Sequence, residues 1–191
     1  GNSLTAITNE GTITFGSENT KAFSDKATVD LQGPATIYGE NEFASITSND
    51  SLTFKNNNSV ETLSVTTAGG KTLTIDGQIT VTTMELSGTD TDKLQIDGNG
   101  SVEFSTSAAG NYLQFLRNDS PTLIRPEGNS DEILTNSIGV DGQFPDGWVI
   151  QRDFIWEGQV SAEWHTGANW KSGVVPNAES EVTIPANVTN I

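Results

Sequence analysis

The residues of this chain that could do chemistry are one histidine, His165, three arginines, Arg117, Arg125 and Arg152, and 25 carboxylates; there is no cysteine. One imidazole and no thiolate argue against a zinc site. His165 as a general base would call for a nucleophile such as the serine of a Gly-x-Ser-x-Gly elbow, and none occurs near it. Asp90, Asp92 and Asp97 are close enough in sequence to hold Ca2+ together with backbone carbonyls. However, Asp90-Thr91-Asp92-Lys93 lacks the glycine and the later glutamate of an EF-hand loop. Arg117-Asn118-Asp119 and Arg125-Pro126-Glu127 offer an arginine base beside acidic metal ligands, as a polysaccharide lyase needs, or else form surface ion pairs. Neither type of glycine-rich phosphate loop is present. No catalytic residue is therefore assigned.

The four tryptophans, at 148, 156, 164 and 170, all lie in the last quarter of the chain. Trp156, Trp164 and Trp170 sit in a glycine-containing segment without strand alternation. Such indoles could contact a ligand by stacking on sugar rings. They could equally cap the end of a stacked-repeat fold, which otherwise exposes strand edges and apolar interior. The capping role is the expectation and ligand contact is the alternative.

The elements that must position these residues are short strands. Thr12–Phe15, Ala27–Leu31, Ala35–Tyr38, Phe43–Thr47, Thr62–Thr66 and Ile79–Thr82 alternate apolar and polar residues. Gly69-Gly70, Asp76-Gly77, Asp97-Gly98, Asn99-Gly100, Asp141-Gly142 and Asp146-Gly147 read as turns between strands. Helical periodicity is almost absent. Leu52, Leu73 and Leu94 recur every 21 residues, as do Phe54, Ile75 and Ile96, and Val60, Val81 and Val102. A fixed period of this size marks stacked repeats.

The expected fold is all-β: a right-handed parallel β-helix of about 21 residues per coil, with inward Leu, Ile, Val and Phe in ladders. About seven coils over residues 10–147 would make a rod roughly 30 Å long at ~4.8 Å per coil. Outside the central repeats the spacing drifts. Phe15 to Tyr38 is 23 residues, Tyr38 to Phe54 is 16, and Leu113 and Phe115 follow Leu94 and Ile96 by 19. Asp76 and Asp97 fall in register at Ile-Asp-Gly corners, as ordinary turns or a weak cation site. Ser51/Thr53 and Lys93/Gln95 interrupt any ice-matching threonine ladder.

A net charge of −16 over 191 residues repels phosphate, which argues against nucleic acid and anionic membranes as partners. No apolar run approaches the ~20 residues that span a bilayer, so no membrane insertion is expected. The absence of cysteine leans towards a bacterial chain. There is no initiating Met, and Gly1 reads as the scar of a cleaved tag, so the chain reads as a fragment. The composition changes near Gln151. This divides the chain into a module at 1–150 and a Trp-rich segment at 151–191.

Trp156-x-Gly158, Ser161, Trp164, Asn169-Trp170, Gly173, Pro176 and the strand Val182-Thr183-Ile184-Pro185, preceded by Glu181, resemble a motif of secreted bacterial surface proteins. There it recurs between β-helical modules, and its last strand begins the next helix. Residues 51–107 resemble the module itself, and filamentous-haemagglutinin-like adhesin rods are the nearest class. The resemblance implies a non-catalytic extracellular or cell-surface module acting in adhesion or as a structural stalk. Its partners would be host or matrix surface molecules or glycans. The alternative is a β-helix that binds or cleaves polysaccharide. No cofactor is expected, Ca2+ being the alternative.

Overall fold

Each short run has one apolar and one polar face, and strands of this kind bury the apolar face only against another sheet. The computed structural model describes residues 8–9, 12–16, 26–67, 69–129, 133–149, 154–171, 175–176, 182–186 and 188. Gly1, Arg152, Gly173 and Glu181, named above, lie outside the described residues. In chain order the strands are β1 (Thr8–Asn9), β2 (Ile13–Phe15), β3 (Ala27–Leu31), β4 (Ala35–Ile37), β5 (Glu42–Ser48) and β6 (Leu52–Phe54). They continue with β7 (Asn58–Thr66), β8 (Thr72–Ile75), β9 (Gln78–Ser87), β10 (Leu94–Asp97), β11 (Ser101–Asn111) and β12 (Leu113–Phe115). The last are β13 (Thr122–Ile124), β14 (Leu134–Thr135), β15 (Phe154–Ile155) and β16 (Val182–Thr183).

Odd strands β1 to β13 stack in one sheet, with β14 also against β11, and even strands β2 to β12 stack in a second. The pairings are parallel throughout both sheets. The chain therefore winds as a parallel β-solenoid, each coil giving one strand to each sheet. Among the described residues five coils are complete, from β3/β4 to β11/β12, where the sequence spacing predicts about seven.

The coil length is not constant. Leu52 faces Leu73 and Phe54 faces Ile75, the expected 21-residue step. In the next coil the step is 23: Leu73 faces Ile96, Val81 faces Phe104 and Ile79 faces Val102. Leu94 lies on the adjacent turn but two residues off Leu73, and Asp97 faces Thr74, so Asp76 and Asp97 are not in register. The two extra residues sit in the corner at 88–93, where Thr89 N–H donates to the Asp92 carbonyl at 2.9 Å. A shift of two is invisible to burial because side chains alternate with period two. Leu94 and Ile96 therefore remain fully buried. The expected 19-residue step holds, with Leu94 facing Leu113 and Ile96 facing Phe115. Upstream, Ile37 and not Tyr38 faces both Phe15 and Phe54. A 16-residue step would have turned the strand's apolar face outward.

The odd strands bend without a turn. Phe43 and Ile46, Val60 and Leu63, and Val81 and Met84 point inward with two outward residues between them. That break in alternation makes a corner. In β11 three residues, Ser105 to Ser107, separate Phe104 from Ala108, and the register slips there as in a β-bulge. Each buried Leu, Ile, Val or Phe contributes about 1.5–3 kcal/mol.

The C-terminal end of this unit is covered by its own chain. Phe115 packs edge-on against Phe144 and Trp148, at centroid distances of 5.4 and 5.1 Å. Trp148 Nε1 donates to the Pro121 carbonyl at 2.8 Å. Edge amides of Leu123, Ile133 and Leu134 donate to carbonyls of Asp146 and Val149, so they are satisfied without another coil.

The chain forms two compact units, Gly1–Ile150 and Gln151–Ile191. In the second, β15 and β16 pair in parallel, Phe154 with Val182 and Ile155 with Thr183.

Candidate functional site

Where the chain passes from an even strand to the next odd one, residues 39–41 and 56–57 form a tight corner. Asn41 and Asn58 turn inward there, 17 residues apart, the same step that sets Ile46 opposite Leu63. Asn41 Nδ2 donates to the Tyr38 carbonyl at 2.6 Å and to Asn58 Oδ1 at 3.1 Å. The Asn41 backbone N–H donates to the same Oδ1 at 3.2 Å, and Asn58 Nδ2 donates to the Lys55 carbonyl at 2.9 Å. Each amide thus repeats its neighbour's bond to the residue three before it. Both asparagines are buried, where an unpaired amide would cost about 1–3 kcal/mol. The two amides thus form a short asparagine ladder on the inside of the solenoid.

Over this floor lies a solvent-open groove of about 710 Å3 that crosses three successive coils. Glu40 and Glu42 line it from the first coil. Asn56, Asn57 and Ser59 come from the second, and Gln78 and Thr80 from the third. Among the described residues that line it there is no lysine, arginine or aromatic ring. Gln78 Nε2 donates to Glu103 Oε2 at 3.2 Å, which holds the amide at the rim. Sequence reasoning missed this site. The available signal was the pair Gly39-Glu40-Asn41-Glu42 and Asn56-Asn57-Asn58-Ser59, set 17 residues apart.

Charges outside the groove are tied from coil to coil. Lys55 binds Asp76, and Lys26 binds Glu61. Lys71 Nζ lies 2.8 Å from Asp50 Oδ2, and Arg117 Nε 2.8 Å from Asp97 Oδ1. Burial pushes the Asp50 carboxyl up, but Lys71 and the Ser51 N–H outweigh it and hold it below the ordinary value. Asp97 is held down by Arg117, assisted by the Gly98 N–H. Asp76 raises the Lys55 ammonium against a smaller opposing effect of burial.

The remaining candidates are dispersed. Among the described residues no three His, Asp or Glu side chains converge as metal ligands. Asp90 and Asp92 sit in the 88–93 corner, where Lys93 Nζ donates to the Asp90 carbonyl. Arg125 Nε donates to the Gly147 carbonyl at 2.7 Å and Nη1 to Asn129 Oδ1 at 3.0 Å, so it pins the end cap. His165 is exposed. The threonine ladder is longer than expected: Thr14, Thr36, Thr53 and Thr74 share one column, which ends at Asp97.

The three tryptophans named from the sequence do come together. Trp156 stacks parallel to Trp164 at 6.0 Å, and Trp170 meets both edge-on, at 4.9 and 4.5 Å. Trp156 and Trp170 are 3% and 2% exposed, and Trp164 is 40% exposed. Trp170 Nε1 donates to the Trp164 carbonyl at 2.9 Å. Fully buried Asn169 accepts from the N–H groups of Val160 and Ser161 and donates to Ser161 Oγ and the Glu163 carbonyl. Trp156 and Trp170 thus form the core of the second unit, and Trp164 alone offers an exposed indole. Comparison with known protein families, characterised proteins and solved structures finds no match for this chain.

Proposed function

We propose that this chain is a non-catalytic, extracellular β-solenoid module of a bacterial surface protein, acting in adhesion or as a structural stalk. Residues 151–191 would be the junction leading into a following module. The observation that carries this reading is the interlocking of successive coils. Outward side chains pair with the next coil along the axis, Lys71 with Asp50, Lys55 with Asp76 and Arg117 with Asp97. Buried Asn41 and Asn58 do the same inside. The arginines that a lyase would use are engaged in such ties or in the end cap. Such an architecture suits a stiff element that displays a surface.

Adhesion is tested by binding of the purified chain to immobilised glycans, matrix proteins and host cells. Binding to any of these is the expected result, and none would leave the stalk role. Incubation with acidic polysaccharides and Ca2+ should produce no unsaturated sugar absorbing in the ultraviolet. Appearance of that product would overturn the non-catalytic reading.

A further inference from the structure

We propose that the turn at 163–166 binds a neutral glycan, the indole of Trp164 stacking on the C–H face of a pyranose ring. The inference deepens the adhesive reading and rests on it. Trp156 and Trp170 are consumed by the core of their unit, whereas Trp164 is 40% exposed. The exposed indole is also held still. Thr166 N–H donates to the Glu163 carbonyl at 3.1 Å and closes the turn, and buried Asn169 Nδ2 donates to the same carbonyl at 2.9 Å. The Trp164 carbonyl accepts from Trp170 Nε1 at 2.9 Å, and the ring lies within 14° of parallel to that of Trp156. A ring fixed at its backbone and against a stacked neighbour has little conformational freedom to lose when a ligand settles on it.

The surroundings select the ligand. The face of an indole is electron-rich, and the C–H bonds of a pyranose carry slight positive charge. They pack on it as the edge of one aromatic ring packs on the face of another. The sugar hydroxyls around that contact need partners that both donate and accept. Glu163 and His165 flank Trp164 in the turn, and both are exposed. The carboxylate accepts strongly, and a neutral imidazole donates from one nitrogen and accepts at the other. A protein partner would need about 800 Å2 on each side, with an apolar centre. Among the described residues at 154–171 the exposed large hydrophobics are Trp164 and Val160, one ring and one isopropyl group. That is too little for a protein interface and enough for a single sugar. The sugars that fit are β-linked glucose and N-acetylglucosamine, whose hydroxyls lie equatorial and leave the axial C–H face bare.

The test is calorimetric titration of the full 191-residue chain with β-1,4-linked hexamers of N-acetylglucosamine and of glucose. Mannitol, a polyol with hydroxyls but no ring face, is the control. At least one hexamer is expected to bind, and mannitol at least about tenfold more weakly. Trp164→Ala should weaken binding at least about tenfold, and Trp164→Tyr, which restores an aromatic face, should return it to within about fivefold of the unaltered chain. Glu163→Ala/His165→Ala should weaken it about fivefold or more, hydrogen bonds being lost while the buried tryptophans stay in place. The indole N–H resonance of Trp170, bonded to the Trp164 carbonyl, reports whether each variant keeps its fold. Unchanged binding by a folded Trp164→Ala chain overturns the proposal, as does mannitol binding as tightly as the hexamers. Should Trp164→Ala not fold, the Glu163→Ala/His165→Ala chain decides, and unchanged binding there overturns it. Failure of both hexamers to bind overturns it too. Adhesion to cells or matrix proteins in that last case would leave the adhesive reading standing, and its absence would remove that reading as well.

Discussion

At the scale of single residues, three glycines separate the cost of space from the cost of conformation. A Cβ on Gly77 would stand 1.8 Å from the Asn56 carbonyl oxygen of the coil before, and one on Gly100 would stand 2.0 Å from the Gly77 carbonyl. This column closes only because the side chain is missing. Gly70, at φ +54°, has nothing within 4 Å. Gly77→Ala should lower unfolding free energy by at least about 2 kcal/mol, and Gly70→Ala by about 1–2 kcal/mol. Urea denaturation of the two variants checks this order. Asp50 gives the pH-dependent case. Its folded carboxyl is held below the ordinary 3.8, so its contribution is present above that pH and is lost as pH falls through the lowered value. Asp50→Asn should therefore cost up to about 1 kcal/mol at pH 7, since the pair is partly exposed. The gap to the unaltered chain should close below about pH 4, followed by urea titration at each pH.

At the scale of elements, β8 exposes one face and buries the other. Leu73 is fully buried between Leu52 and Ile96. Leu73→Ala should cost about 2–5 kcal/mol, as a cavity with partners on two coils cannot collapse. Thr74→Ala, one residue on and facing out, should stay within about 0.5 kcal/mol. Equilibrium unfolding measures both. The same alternation explains what could be read beforehand. Leu73 is inward in any register that shifts by an even number, so its burial was legible. Its partner was not, because the corner at 88–93 is two residues longer than the sequence repeat implies. Ile37 was displaced by the neighbouring Tyr38 as the apparent ladder residue, since side-chain size alone does not reveal which of two adjacent apolar residues points inward.

At the scale of the whole molecule, 25 acidic residues face nine basic ones. Self-repulsion of this size opposes the compact state. The melting temperature should rise between about 10 and 150 mM NaCl, as the screening length falls from about 30 to about 8 Å. Calorimetry in the two buffers checks it, and no change or a fall would mean that the coil-to-coil ion pairs dominate. The second unit has its own test. Trp156→Ala removes the indole that stacks on Trp164 and meets Trp170 edge-on. It should cost about 3–5 kcal/mol in that unit and speed hydrogen exchange of the amides at 154–171. Trp164→Ala, with its ring half in solvent, should cost less.

Local pattern alone determined that this chain makes short strands with one apolar face, that they stack as a coil, and that the tryptophan segment stands apart. These follow from side-chain periodicity, turn residues and composition, all of which act over a few neighbours. The coil-by-coil register, the inward turn of Asn41 and Asn58, and the groove above them were decided only by tertiary structure. They depend on which residues some 17 or 23 positions apart meet across the axis. That distance is set by corner lengths and backbone closure, on which the alternation of apolar and polar residues places no constraint beyond parity.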